Sequence, residues 1–428
     1  MSSWTNYGYL SEGERTNLLK PSEDLTTTWV TSGNVTVTAN AVVSPDGNIT
    51  ADEIDDGTAT NFHRVYGTSY LSSSGSTYTI SCYLKKGTLR YVSIRGEAVP
   101  STGNYPWITF DFDTQSIDEN VNVDSSGYED VSGGWYRVWM VYSSSFTVGS
   151  GNIVIAGSNI ATAPGATSGG NSYTGANDTF YVWGMTAELG AFPSSYIPTT
   201  TTAETRDADN LVATIGTLDS PCTIAVEFRT GNGGIDTETI IQADDDSAGI
   251  DHSIRISRTA GDIIALIETA TATVATLNCG ALANNTVGKV VVTCADGAFN
   301  ATLFDADDAV VAQATPDTSG TAPTGMTKLR YGVDHTPANW LYGHVTTVRT
   351  WDTAETAYLS EWPEFDPAVI GSMGGNNTVV YGPSSTPAGT ISLPQLKRIH
   401  AKVQSDLARV SARPDLHRAL KSRKDRRR

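Results

Sequence analysis

Before residue 393 the chain has no long segment with a helical apolar period. Short runs of alternating apolar and polar residues recur between turn signals instead, and this punctuation restricts the fold to sheets joined by tight turns. Residues 34–40 alternate (Asn-Val-Thr-Val-Thr-Ala-Asn), and Ser-Pro-Asp-Gly-Asn at 44–48 is a turn. Residues 78–85, 90–95, 107–112, 135–142, 152–156 and 180–185 continue the pattern, giving about eight strands, the number a two-sheet jelly roll uses. A second series runs through 222–229, 253–257, 263–268, 289–294, a hairpin of 299–304 with 309–313 across an Asp305 turn, 328–333 and 341–351.

A chain of 428 residues exceeds what one hydrophobic core serves. Between the two series lie residues 193–202, rich in Pro and Thr, where regular structure cannot continue. The expected organisation is an N-terminal arm (1–16), a jelly-roll sandwich (17–202), a second, concanavalin-like sandwich (207–365), a Gly/Pro/Ser linker (366–391) and a basic amphipathic helix (392–428). In the arm, Trp4, Tyr7 and Tyr9 are more aromatic surface than a free tail keeps, so it packs on a neighbour or on its own domain. The first residues lack a basic segment followed by an apolar one, and no apolar run reaches the roughly 20 residues of a membrane span, which leads to an expectation of folding in a cytosol.

Charge divides the chain unevenly. Residues 395–428 carry 12 Lys/Arg against 3 Asp/Glu, whereas residues 1–394 carry 16 against 43. The acidic body argues against nucleic acid as its partner. Four scattered cysteines, Cys82, Cys222, Cys279 and Cys294, read as buried free thiols rather than a disulfide framework.

Catalytic motifs are missing from the sequence: there is no phosphate-binding Gly-x-x-x-x-Gly-Lys loop, no His-Glu-x-x-His, no Gly-x-Ser-x-Gly and no Cys-x-x-Cys. Glu53-Ile-Asp-Asp resembles the start of the Glu-x-Asp-x-x-Glu strand of jelly-roll glucanases, in which alternate carboxylates face one cleft. Its third acid position is Thr58, so the pair is incomplete and the segment reads as a polar strand end. Residues 244–251 (Asp-Asp-Asp-Ser-Ala-Gly-Ile-Asp) resemble a calcium loop. Ala248 and Arg255 stand at the fifth and twelfth positions and exclude an EF-hand, leaving Asp244, Asp246 and Asp251 as candidate calcium ligands or as a solvated acidic turn. No other cofactor is expected.

Flat aromatic faces beside amides and carboxylates bind sugars, and sandwich loops present them well. Tyr105 and Trp107 follow a Pro-Ser-Thr-Gly loop, and His335, Asn339 and Trp340 precede a strand; these five are the glycan-binding candidates. Trp135, Trp139, Trp183 and Trp351 sit at strand periodicity and read as core.

Several of these segments together resemble a family. Asn17-Leu-Leu, Ser22-Glu-Asp-Leu with Trp29, Pro45-Asp-Gly, Ala51-Asp52, His63-Arg64, Gly134-Trp-Tyr-Arg-Val and the stretch from Phe180 to Thr199, Phe-Tyr-Val-Trp-Gly-Met-Thr-Ala-Glu-Leu-Gly-Ala-Phe-Pro-Ser-Ser-Tyr-Ile-Pro-Thr, are similar to a module of phage tail and head-appendage proteins. The order of the second series, ending on Leu341-Tyr-Gly-His-Val-Thr-Thr-Val-Arg-Thr-Trp and a short Leu-Ser segment within 355–362, resembles the concanavalin/laminin-G-like sandwich. The resemblance implies a non-enzymatic virion protein assembled in the host cytoplasm, a homo-oligomer that binds host-surface polysaccharide. The alternative it leaves is a structural tail or capsid-decoration subunit whose sandwiches only pack against other virion proteins.

In the C-terminal segment, Ser392-Leu-Pro-Gln395 reads as a capping box. Leu393, Leu396, Ile399, Val403, Leu407 and Val410 then share one helical face, with Arg398, Lys402, Arg409 and Arg413 opposite. That stripe is expected to dock on another virion protein or on its own copies.

Overall fold

The computed structural model describes residues 9–352, except 70–75, 97–104, 121, 144–150, 166–169, 232–236, 248–250, 271 and 336–338. The expected linker, the Leu-Ser segment at 355–362 and the C-terminal helix with its docking residues, Leu393, Leu396, Ile399, Val403, Leu407 and Val410, lie outside the described residues. Contacts fall into two units, one of residues 12–209 and one of residues 9–11 and 210–352. Every regular element among the described residues is a strand.

The first unit is a sandwich of two six-stranded sheets. In one, the order is Ser125–Asp130, Trp135–Ser143, Thr77–Lys86, Thr179–Leu189, Ile49–Asp55 and Thr36–Val43. In the other it is Ser116–Glu119, Trp107–Asp111, Tyr91–Arg95, Gly151–Ser158, Arg64–Ser69 and Val30–Ser32. Tyr78, Ile80, Cys82 and Leu84 alternate along their strand into the core, where they meet Ile94, Ile108, Phe110, Val138, Met140 and Phe180. Twelve strands in these sheets correct the expectation of about eight. Two of the additional ones, Ser116–Glu119 and Ser125–Asp130, are short, polar and mostly exposed edge strands with no apolar face to alternate.

The second unit is also two six-stranded sheets. One runs Tyr9–Ser11, Gly343–Trp351, Cys222–Arg229, Val287–Ala295, Ala298–Phe304, Val310–Gln313; the other runs Leu211–Leu218, Met326–Tyr331, Thr237–Asp244, Ser253–Thr259, Asp262–Thr269, Ala272–Ala281. Ile224, Val226, Phe228, Val290 and Val292 of the first meet Ile241, Ile254, Ile256, Ala265 and Ile267 of the second.

The expected arm 1–16 is not one piece. Tyr9–Ser11 is an edge strand of the second sandwich, with Tyr9 opposite Val345 and the Ser11 hydroxyl donating to the Gly332 carbonyl at 2.7 Å. An edge strand leaves a row of backbone groups unpaired, and Tyr9–Ser11 pairs with the first three residues of Gly343–Trp351, Gly343 to Val345. Arg15–Asn17 belongs instead to the first sandwich, where it pairs with Glu204–Arg206. Residues 203–206, expected to lie beyond the sandwich boundary, therefore form part of it. The first sandwich is inserted in the chain between Ser11 and Asn210. Its two ends are joined, since Glu12 N–H donates to the Asp209 carboxylate at 2.9 Å and Asp209 N–H to the Glu12 carbonyl at 2.8 Å.

Candidate functional site

The stretch 180–199 works as a clasp. Its strand is central in the sheet, and the register shifts between Trp183 and Thr186, where Gly184 adopts φ 63°. A Cβ at Gly184 would stand 2.9 Å from the Tyr83 ring, so glycine is required by both conformation and space. Beyond the bulge, buried Glu188 accepts the Ser194 N–H at 2.8 Å and hydroxyl at 2.6 Å, with Arg15 3.6 Å away. Burial pushes this carboxyl above its ordinary range, opposed by the Ser194 bonds and by Arg137 and Arg15. Arg137 donates to the Ser194 carbonyl at 2.5 Å, and Glu12 takes the Ser195 N–H at 2.9 Å and its hydroxyl.

Asn17 completes the clasp. Its amide nitrogen donates to the carbonyls of Met185 and Ile197, at 3.1 and 2.8 Å, and its oxygen accepts from Leu19 and Ala187. Thus Asn17, Arg137 and Glu188, which lie in three separate motif segments, meet in one buried region of the first sandwich. They hold its beginning to its end and face no solvent, so the motifs behind the family resemblance serve closure of the fold.

The five glycan candidates separate. Trp107 is fully buried against Val154, Ala156 and Ala163, with Tyr66 and Tyr105 alongside. Gly170 comes so close that a Cβ there would lie 3.3 Å from the Trp107 ring. It offers no open face, which corrects the exposed-loop expectation: Trp107 opens a strand whose outer face is covered around it by Ala163 and Gly170, while Ile108 and Phe110 of the same strand face the sandwich core. Tyr105 is half-buried, with the Arg95 guanidinium 4.2 Å from its ring centroid. His335, Asn339 and Trp340 are also half-buried. Asn339 is held by Asp334, to which its amide donates at 2.5 Å.

In the acidic loop, ligand atoms of Asp244, Asp246 and His335 lie within 4.8 Å of one another. Asp251 is exposed and stands outside that group. The residues do not fit calcium, which takes six to eight oxygens. The Arg330 guanidinium already bridges the carboxylates, with Nε 2.6 Å from Asp244 Oδ2 and Nη2 2.7 Å from Asp246 Oδ1. Gln242 donates to Asp244 at 3.2 Å, and Lys328 Nζ is 3.7 Å from Asp246. The sequence resembles a calcium loop because the acids are there; their counter-ion is a side chain some eighty residues away.

Of the glucanase-like carboxylates, Glu53 is half-buried, and Asp55, like its neighbour Asp56, is occupied by the backbone. Asp55 accepts the Gly57 N–H at 2.7 Å, and buried Asp56 those of Ala176 and Asp178 at 3.1 and 2.8 Å.

The first sandwich has an open cleft of about 970 Å³ that sequence reasoning missed. Its walls are Lys20 to Thr28, Ala39 and Asn40, Thr50 and Asp52, and Pro198 to Thr201. Asp52 fixes two of these walls by accepting the N–H groups of Leu25 and Asn40, each at 2.9 Å. Burial pushes its carboxyl up, and those two bonds pull it down. Asp24 is held by the Thr26 N–H and hydroxyl at 2.8 and 2.6 Å. Hydroxyls of Thr26, Thr27, Thr28, Thr200 and Thr201, the Asn40 amide, Lys20 and the carboxylates of Glu23 and Asp24 give a wall of hydrogen-bonding groups without an aromatic ring.

No protein-family model matches the chain, and no curated protein matches it. Among solved structures it is similar to a heptameric SAP-like pentraxin from Limulus polyphemus (12% identity, 40% of this chain, 86% of that one, TM-score 0.30). It is also similar to a tailspike protein from an Escherichia coli O157:H7 bacteriophage (14% identity, 35% of this chain, TM-score 0.27), of which it spans only 22%. A third is the LG4-5 region of mouse laminin α1 (10% identity, 82% of this chain, 91% of that one, TM-score 0.24). Likenesses of this size carry no argument about function.

Proposed function

We propose that the chain is a non-enzymatic appendage protein of a phage particle that binds host-surface glycan through its sandwiches. The cleft of the first sandwich carries this reading: it is large enough for a few sugar rings and lined by hydroxyls, an amide and carboxylates that match a polyhydroxylated ligand. One such site binds weakly, in the micromolar to millimolar range or about 4 to 8 kcal/mol, and many copies on one particle supply avidity. The apolar stripe from Leu393 to Val410 anchors the chain to the particle in this reading. Glycan-array binding of the full chain tests it. The double variant Thr27→Ala/Thr200→Ala should lose about thirtyfold in affinity with an unchanged fold, each of the two neutral hydrogen bonds contributing about 1 kcal/mol.

A second reading, a structural virion subunit, is favoured by the apolar edges. Val310 and Val311 are 61% and 47% exposed on the edge strand Val310–Gln313, and Val43 and Ile49 are 50% and 61% exposed where another edge strand turns. Exposed edges of this kind invite pairing with another chain. If the full chain binds no glycan while Val310→Lys/Val311→Lys removes it from assembled particles, the structural reading holds.

A further inference from the structure

Cys222 opens the strand Cys222–Arg229, and Cys294 is next to last in Val287–Ala295; the antiparallel register sets the two directly opposite each other. Residues so opposed have Cα atoms about 4.5 or about 5.5 Å apart, and both spacings allow a disulfide. Directly opposed residues of an antiparallel pair project to the same face of the sheet, so the two thiols are neighbours. Both are fully buried and free. The other cysteines are placed differently: Cys82 is in the core of the other sandwich, and Cys279 is hydrogen-bonded to the Ala314 backbone.

We infer that Cys222 and Cys294 form an oxidative modification site that closes to a cross-strand disulfide on exposure to a small peroxide. One thiol, as its thiolate, attacks a peroxide oxygen; the O–O bond breaks, the sulfur becomes a sulfenic acid and water leaves. The second thiol attacks that sulfur, the S–O bond breaks, the S–S bond forms and a second water leaves. Hydrogen peroxide is reduced to two waters, and the two thiols are oxidised by the same two electrons. The neighbouring Cys222 thiol and burial push the Cys294 thiol up, so thiolate is scarce. Closure is therefore slow at neutral pH and faster in alkali. The bridge would tie two interior strands of the sheet and close a loop of roughly 70 residues, which restricts the unfolded chain. This site is independent of the ligand reading.

The experiment treats the full wild-type chain with hydrogen peroxide, blocks remaining thiols with N-ethylmaleimide under denaturing conditions, and maps peptides without reduction. The expected result is one cross-linked peptide pair containing Cys222 and Cys294, lighter by two hydrogens, with Cys82 and Cys279 alkylated. The oxidised chain should melt at a higher temperature, and dithiothreitol should reverse the shift. In Cys222→Ser, Cys294 should remain free of any bridge. Thiols at 222 and 294 that stay fully alkylatable, that over-oxidise singly, or that bridge to Cys82 or Cys279 would each overturn the assignment.

Discussion

At the scale of single residues, Trp107 shows how a loop-flanked aromatic misleads. A Trp after a Gly-containing loop can be a binding platform or the first buried residue of a strand, and the sequence is the same in both cases. Because it is fully buried, Trp107→Ala should destabilise the first sandwich by about 3–5 kcal/mol, a loss that chemical denaturation of residues 12–209 would register. A variant that unfolds at the wild-type denaturant concentration would contradict the packing described.

Glu238 is a second residue whose behaviour follows from burial. Its side chain is almost completely buried, with Arg258 at 3.3 Å, and desolvation outweighs that pairing to push the carboxyl up to about 7. A folded-state pKa above the unfolded value means that stability is fully present below about pH 4.5 and is lost as pH rises through about 7. Glu238→Gln removes this dependence. Relative to wild type, the variant should gain about 3 kcal/mol between about pH 5 and about pH 8, as measured by urea unfolding at both. An equal difference at the two pH values would show that Glu238 titrates normally.

At the scale of elements, strands with an apolar face were legible. Residues 78–85 lie within Thr77–Lys86, residues 135–142 within Trp135–Ser143, and the Cys222 run coincides with Cys222–Arg229. Alternation survives there because one side of the strand must stay dry. It fails for Ser125–Asp130, whose place in the sheet is set by pairing with Trp135–Ser143 rather than by its own composition. The cleft was illegible for a related reason: its walls come from four distant polar segments, and only the folded sandwich brings Asn40 near Thr200. The clasp was half legible, since its residues were visible as motifs but their mutual contacts were not. Asn17→Ala would leave two backbone N–H groups and two carbonyls without their partner, at roughly 1 kcal/mol each. A loss of about 3–5 kcal/mol in thermal or urea unfolding is expected, and Asn17→Asp should lose at least as much, because its second carboxylate oxygen would face the Met185 and Ile197 carbonyls in a buried site. A clearly smaller loss in Asn17→Asp would mean that the two donated bonds contribute little.

At the scale of the whole chain, the insertion of one sandwich into the other revises where the protein can be cut. Residues 12–209 should fold alone and unfold cooperatively, because the core and the Glu12–Asp209 closure are internal to that piece. A piece starting at 17 would lack Glu12 and Arg15 and should be less stable, by differential scanning calorimetry, than one starting at 12. Equal melting temperatures would show that the clasp does not need them.

The pairing of Tyr9–Ser11 with Gly343–Trp351 also determines how this chain would carry tension. Pull on residues before Tyr9 and after Trp351, and the load passes from one edge strand directly to its neighbour; everything between Ser11 and Gly343, including the inserted sandwich, is bypassed. The strands are antiparallel, so the pulled ends leave from the same end and the three residue pairs open one after another, beginning with Tyr9 and Val345. The edge strand is a mechanical fuse: it gives way at low force, and only then does the long inserted segment come under strain.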